Sequence, residues 1–376
     1  MKIVEITPIT PWKENRVGTS ALQYHLLAGR PNDIDVDVWT FNYNDLSHDE
    51  MRIVEKELNI NIHLLEKPWF RTFVVDKKLD FVRLLLKYPI FNYVKLSEKD
   101  IKNIDSLNAD GVWIYGEEMG RISKQLRKFK RVHTFPDAQS LYYERLGGIR
   151  KIVSGRKYIR LEKIMDKSAV YHLVGAEDVK WFKLVTPGVD AHFIRHPHYE
   201  LTDKEIKFGK KVQMLVAGRN DIYMKGATND MIEAFQEILK TNEYEVTFLG
   251  IGWADEVRRL RQVGYEVNWK EYVENYVAEV AKYDVQISPI SLGTGTKGKV
   301  LDAMANGALV VGTAYALENI VNGGVLYRSK EGLTSILLDI LADRSKYEKM
   351  ASEARDNVRR EHNPNKVSGE FFALWR

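Results

Sequence analysis

No cysteine occurs among the 376 residues, which excludes disulfide staples, thiolate zinc sites and a thiol nucleophile. Long apolar runs are also missing. The most hydrophobic stretches, Gly307–Leu317 and Phe81–Leu86, stop well short of the roughly 20 residues that a helix needs to cross a bilayer. Behind Met1-Lys2 the chain enters a strand-like Ile3-Val4-Glu5-Ile6 with no extended apolar leader or small-residue cleavage site, so a cytoplasmic protein is expected. A large charge of one sign is absent too: 56 Lys and Arg stand against 52 Asp and Glu, a net +4. With no basic-aromatic module, this disfavours nucleic acid as a partner. There is no solenoid-period repeat and no low-complexity tract.

What remains is the composition of a globular protein, 44% hydrophobic and 29% charged, with a mean hydropathy of −0.34. At roughly 150 residues per domain the length suggests two domains. Short apolar runs alternate with segments of helical period, the pattern of a parallel sheet covered by helices. One series of strands is expected at Lys2–Ile6, Asp35–Thr40, Ile60–Leu65, Gly111–Tyr115, Arg131–Phe135 and Val170–Val174. After the Pro- and His-bearing stretch Pro187–Pro197 a second follows, at Val212–Ala217, Glu245–Leu249, Tyr265–Asn268, Val285–Pro289 and Ala308–Gly312. The spacing of Met231, Ile232, Phe235, Ile238 and Leu239 predicts a helix over Asn229–Lys240 with one buried face. Another is expected over Lys299–Asn306, ended by Gly307, and the tail from Lys346 reads as helix interrupted at Asn363-Pro364.

The most informative run reads Ser288-Pro-Ile-Ser-Leu-Gly-Thr-Gly-Thr-Lys-Gly-Lys-Val-Leu-Asp-Ala-Met-Ala-Asn-Gly307, a strand, a glycine-rich loop and a helix start. Glycines allow close backbone approach, and free N–H groups at the positive end of a helix suit a phosphate. Gly293 to Lys299 even spell the P-loop spacing, but Val300 stands where a magnesium-binding Ser or Thr is required. A second strand ends at Gly218-Arg219 and is followed by Lys225-Gly226; a third closes at Gly250 and Gly252. Three neighbouring loops therefore read as facing an anion or nucleotide, at the strand ends where open α/β sheets bind ligands.

These motifs resemble the donor domain of GT-B glycosyltransferases, specifically the large retaining family numbered 4. Gly218-Arg219, Lys225-Gly226 and Asp302-Ala-Met-Ala-Asn-Gly307 follow the family's order and spacing, and Thr186-Pro-Gly-Val-Asp190 with Phe193 resembles its interdomain element. The resemblance implies two Rossmann-like α/β domains facing across a cleft, an acceptor-side domain over residues 1–190 and a nucleotide-sugar donor domain over 191–376. A final helix, from about 357 to 376, would cross back to the first domain. The implied reaction is a metal-independent, retaining sugar transfer from a nucleotide-diphosphate sugar to a hydroxyl on a glycan, lipid-linked or cell-envelope acceptor. No cofactor is expected beyond that donor. Arg219 and Lys225 would hold the diphosphate with Gly218, Gly250, Gly293, Thr294, Gly295, Thr296 and Lys297, and Asp302 the ribose. Two departures matter: the family's paired glutamates are Thr294 and Asp302 here. Asp302 can still accept ribose hydroxyls, whereas Thr294 supplies no charge.

In the first half, Pro8 to Thr19 resembles the family's first loop, with Gly18 at the close approach between domains. Arg131 to Ser140 resembles its acceptor-side element, which offers His133, Asp137 and Ser140; an alternative register puts Thr134 in the place of His133. A 2-epimerase of the same architecture and a non-catalytic GT-B subunit remain alternative readings. Asp35-Val-Asp37 and the group His192, His196 and His198 are set aside as metal sites, since neither carries a supporting ligand pattern. Finally, Arg145 to Lys163 holds seven basic residues and one acid. This stripe is either a solvated helix face or a peripheral contact with anionic membrane at its inner face.

Overall fold

The computed structural model describes residues 1–13, 19–198, 200–321 and 323–376. The chain divides into two compact units, residues 1–197 with 364–376, and residues 198–363. In the first, β1 (Lys2–Thr7), β2 (Asp35–Thr40), β3 (Asn61–Leu64), β4 (Gly111–Tyr115), β5 (Lys130–Phe135), β6 (Val170–Leu173) and β7 (Asp190–Phe193) form one parallel sheet in the order β3-β2-β1-β4-β5-β6-β7. In the second, β8 (Val212–Ala217), β9 (Tyr244–Leu249), β10 (Glu266–Lys270), β11 (Val285–Ser288), β12 (Leu309–Gly312) and β13 (Val325–Leu326) form another, in the order β10-β9-β8-β11-β12-β13. Every strand expected from the sequence is present; β7 and β13 are additional.

Helices cover both faces of each sheet, so the central strands are buried on both sides and read as continuous apolar runs. Met214, Leu215 and Val216 of β8 illustrate this: Met214 and Val216 enter one core cluster with Phe248 and Trp253, and Leu215 the opposite one with Leu301 and Met304. The helix expected from Asn229 begins earlier, at Lys225, and runs to Ile238. In its first turn the Thr228 hydroxyl donates back to the Met224 carbonyl (3.0 Å).

The C-terminal passage differs in detail from expectation. The division falls at Pro197/His198, beyond the expected residue 190, and the return to the first unit starts at Pro364, not near 357. The reason is local: the helix Arg344–Glu361 stays on the second unit because Val358 is buried there and Arg359 donates to the carbonyls of Ala305 (2.8 Å) and Thr202 (2.7 Å). Asn363 ends that passage, and the helix Pro364–Phe372 lays Val367, Phe371 and Phe372 into the first unit's core beside Trp113. Trp375 packs so closely on β4 that a side chain at Gly111 would meet its ring at 2.3 Å.

Candidate functional site

The order of strands reverses at β8 and β11 of the second unit, the switch point where open α/β sheets leave a crevice for ligands. The loops after both strands are those carrying glycine and cations. They are tied to each other: Ser291 donates its N–H (2.8 Å) and its hydroxyl (3.2 Å) to the Tyr223 carbonyl.

The ends of β8, β9 and β10 are held in register past the strands by Gly218 N–H to Leu249 O, Gly250 N–H to Lys270 O (each 2.8 Å) and Asn220 N–H to Ile251 O (3.0 Å). Two indoles lock the same corner, Trp253 donating to the Gly218 carbonyl and Trp269 to that of Gly250, each at 2.8 Å. Gly218 and Gly250 lie at φ +143° and +129°, and a Cβ at Gly250 would stand 2.1 Å from the Gly218 carbonyl oxygen. Only glycine satisfies both the dihedral and the space. This corner aims Arg219, and the turn that follows, braced by Asp221 accepting from Tyr223 N–H (3.0 Å), leads to Lys225 at the start of its helix. Both cations are exposed, and neither forms an ion pair with a described residue.

Across the switch point, Gly293 (φ +146°) and Gly295 (φ +64°) shape the second loop. It feeds the helix Gly298–Ala305, which has no side-chain cap, so the N–H groups of Gly298 and Lys299 have no acceptor among the described residues. Such a helix start favours an anion. Lys297 behaves differently from Arg219 and Lys225. Its ammonium donates to the carbonyls of Thr294 (2.8 Å) and Gly295 (3.2 Å) and lies 3.8 Å from Glu318, so it braces its own loop. Thr294 is buried and Thr296 partly so. Asp302, only 2% exposed, sits on the helix just after that start. Burial of the neighbouring Tyr276 phenol, and then the charge of Asp302, push that phenol well above its ordinary pKa, and Tyr276 donates to the Lys299 carbonyl (3.1 Å).

Sequence reasoning missed the rear support of this loop. Asn319, at φ +67°, donates to the Gly295 carbonyl (2.9 Å), and Glu318 faces Lys297. A Glu-Asn pair after a short helix carries no spacing signal, and the asparagine's left-handed backbone shows only in the folded chain. Trp253 and Trp269 were equally silent, since a tryptophan reads first as core.

The first-unit candidates fare unevenly. Gly18 lies outside the described residues. His133 has no exposed surface; its Nε2 bonds the Gly116 carbonyl (2.8 Å), its ring packs on Phe135 and Tyr171, and burial holds it neutral with a pKa near 4. Thr134, on the other face of β5, accepts from Trp113 Nε1 (2.8 Å). Ser140 is also interior, donating its hydroxyl to Glu162 (2.7 Å) and accepting from Trp181 (2.6 Å). At 0% and 1% exposure, His133 and Ser140 are both interior to the first unit. Asp137 alone of the three is partly exposed, and it accepts from the Gln139 amide (3.0 Å). Of the Asp-x-Asp, Asp37 is taken up by Lys2 (2.9 Å) and Asn61 (2.7 Å).

Behind Ser140 lies a feature no motif announced. Glu117 and Glu162 are both buried and face one another; Glu117 also accepts from Gln139 N–H (3.0 Å) and lies near Asp137, while Asp178 lies near Glu162. Burial first, then the partner carboxylate, raises Glu117 well above the carboxylate range, and burial raises Glu162 to about 7. Raised folded-state values mean that the native state holds protons the unfolded chain has released. Their contribution to stability is complete below the ordinary carboxylate pKa; that of Glu162 is lost as pH rises through about 7, and that of Glu117 at a higher pH. Urea unfolding of the wild type should thus show stability falling from pH 5 to pH 8 by on the order of 2 kcal/mol from Glu162. Glu117→Gln, which supplies a permanent N–H toward Glu162, should flatten that slope; an unchanged slope would show that the pair shares no proton.

Comparison with known proteins agrees with this geometry. Residues 211–343 match the family described as Glycosyl transferases group 1. No curated protein sequence matches the chain. Among solved structures, Anabaena Alr3699/HepE in complex with UDP and glucose is 11% identical, covers 98% of each chain and has a TM-score of 0.65. A variant of S. aureus TarM in complex with Fondaparinux, alpha-GlcNAc-glycerol and UDP is 10% identical, covers 100% of both chains and has a TM-score of 0.70. The apo lipopolysaccharide outer core galactosyltransferase WaaB, 12% identical, covers 100% of this chain and 99% of its own at a TM-score of 0.63. At such identities the likeness is one of fold. Together, the two parallel sheets and these likenesses give the chain a GT-B fold, with residues 211–343 of the second unit matching the glycosyl transferases group 1 family.

Proposed function

We propose that the chain transfers a sugar from a nucleoside-diphosphate sugar to an acceptor hydroxyl, with retention at the anomeric carbon and without a metal. The observation that carries this reading is the convergence, at the β8/β11 switch point, of exposed Arg219 and Lys225 with the uncapped helix start behind Gly293–Lys297. The UDP found with HepE and TarM supports it. Retention and the assignment to family 4 rest on the motif resemblance.

In the reaction the bond between the anomeric carbon and the diphosphate oxygen breaks, and a bond from the acceptor oxygen to that carbon forms. The leaving diphosphate gains charge and takes up the acceptor's proton. Fixed cations and N–H donors stabilise that charge most when they need not reorganise. Arg219 offers a planar fork of donors and Lys225 a compact charge, with the amides of Gly298 and Lys299 completing the cradle. Gly218, Gly250, Gly293 and Gly295 let the backbone approach, Lys297 with Thr294 and Thr296 shapes the loop, and Asp302 takes the ribose. With two cations and a helix terminus opposing the diphosphate, the reading requires no metal. Asp137 keeps the acceptor-side assignment; the acceptor is a carbohydrate or lipid-linked hydroxyl, met in the cytoplasm or at the inner face of a membrane.

Incubation with a panel of nucleoside-diphosphate sugars and glycan or lipid-linked acceptors in excess EDTA tests this directly. NMR should show a new glycosidic linkage of the donor's own anomeric configuration. Inverted product, or transfer restored only by added metal, would contradict the respective parts of the reading.

A further inference from the structure

The first unit carries a surface that its own core does not explain. On the helix Trp69–Asp76, Val74 is buried and Arg71 stacks inward on Tyr43 and Phe91, at 3.6 and 4.4 Å from the ring centres. The helix is therefore already docked, yet Trp69 stays 76% exposed and Phe73 half exposed. The next helix, Asp80–Leu85, buries no residue and leaves Phe81, Leu84 and Leu85 outside, Leu85 at 82%. Isolated apolar side chains on a surface are ordinary; this many on two consecutive short helices are not.

The basic stripe belongs to the same surface. Lys157 donates its ammonium to the carbonyls of Arg83 and of Leu84 (3.0 Å), fastening the end of the apolar helix to the stripe. There, beyond the left-handed pair Gly147 and Gly148, Ile149 is 75% exposed and Ile152 half exposed. Residues 67–87 and 145–163 together contain thirteen Lys and Arg and three Asp and Glu. Lys77, Lys78, Lys87, Arg150, Arg156, Arg160 and Lys163 are exposed and form no ion pair with a described residue.

The geometry points to an anionic lipid bilayer as the occupant of this surface. Exposed Trp, Phe and Leu side chains amid lysines and arginines match an interface with apolar chains below and negative head groups around it. A protein partner or a second copy would instead need an exposed face of matching negative charge. No helix among the described residues is long and apolar enough to cross a membrane, so the contact is peripheral. This inference stands apart from the sugar-transfer reading, and either can fail alone.

Vesicle co-sedimentation of the full chain decides it, using phosphatidylcholine alone and phosphatidylcholine with 30% phosphatidylglycerol. The wild type should sediment with the anionic vesicles only, and 0.5 M salt should release it. Phe81→Glu with Leu85→Glu, and separately Arg156→Glu with Arg160→Glu and Lys163→Glu, should each weaken binding about tenfold or more, with unchanged urea midpoints showing that the fold is intact. These positions are exposed, and Lys157 is left in place for its structural bonds. Failure to bind anionic vesicles, equal binding by the variants, or concentration-dependent dimerisation that the apolar variant abolishes without any vesicle binding would each overturn the inference.

Discussion

Arg219→Ala should lower kcat/KM for sugar transfer by about 100- to 1,000-fold, and Lys225→Ala by a comparable factor. That loss corresponds to roughly 3–4 kcal/mol of transition-state stabilisation, the scale on which removal of one preorganised donor to a developing oxyanion is felt. Neither side chain is committed to another group: both are exposed and neither has an ion-pair partner among the described residues. Their removal should leave urea stability within about 0.5 kcal/mol of wild type, as for ordinary surface substitutions. Arg219→Lys should recover only part of the rate, because a point charge does not reproduce a planar fork of donors. Steady-state kinetics at fixed acceptor concentration, alongside the unfolding curves, separates chemistry from folding. A variant that unfolds early would mean that the cation is structural.

Gly250→Ala should be the most damaging single methyl in the second unit. The new carbon would sit 2.1 Å from the Gly218 carbonyl oxygen, at a backbone φ of +129° that L-residues rarely adopt. That oxygen cannot easily retreat, because it already accepts from the buried Trp253 indole, and Gly218 N–H is fixed to Leu249 O. The conflict falls between two backbones, which flexible side chains cannot relieve, so a loss of about 3 kcal/mol or more is expected. Urea unfolding followed by Trp fluorescence would read it, since Trp253 and Trp269 report from the same corner. By contrast, Gly264→Ala, where the nearest atom to the added carbon is 3.6 Å away, bears only the strain of its φ of +96° and should cost less. Equal effects at the two positions would show that the close approach at Gly250 contributes nothing.

The contrast between these sites and the rest of the chain explains what could be read from sequence. Central strands such as Leu215–Ala217 are apolar on both faces and bounded by glycine, so they were legible without any partner in view. β7 was not, because Asp190-Ala-His-Phe193 exposes Asp190 and His192 at a sheet edge and resembles a loop. β13 spans two residues and exists only through its pairing with Val311 and Gly312. The donor loops were legible because glycine and cations at strand ends have few other uses. Lys297 was legible as a cation but not as one turned inward, since Glu318 and the carbonyls it meets are fixed by folding and not by spacing. His133 was legible only as part of an acceptor-side element; that its ring packs on Phe135 and Tyr171 follows from strand alternation and the folded neighbours. The Glu117–Glu162 pair joins residues from separate elements, and no local pattern could have announced it.

The central claim is that the second unit binds the diphosphate of a nucleotide through Arg219 and Lys225. Calorimetric titration of the wild type and Arg219→Ala with UDP, GDP, ADP, CDP and TDP, in EDTA, tests it most directly. The account predicts one base that binds the wild type with a measurable Kd and binds Arg219→Ala at least about tenfold more weakly, equivalent to about 1.4 kcal/mol. Wild-type binding of none of the five, or binding unaffected by loss of Arg219, would contradict it.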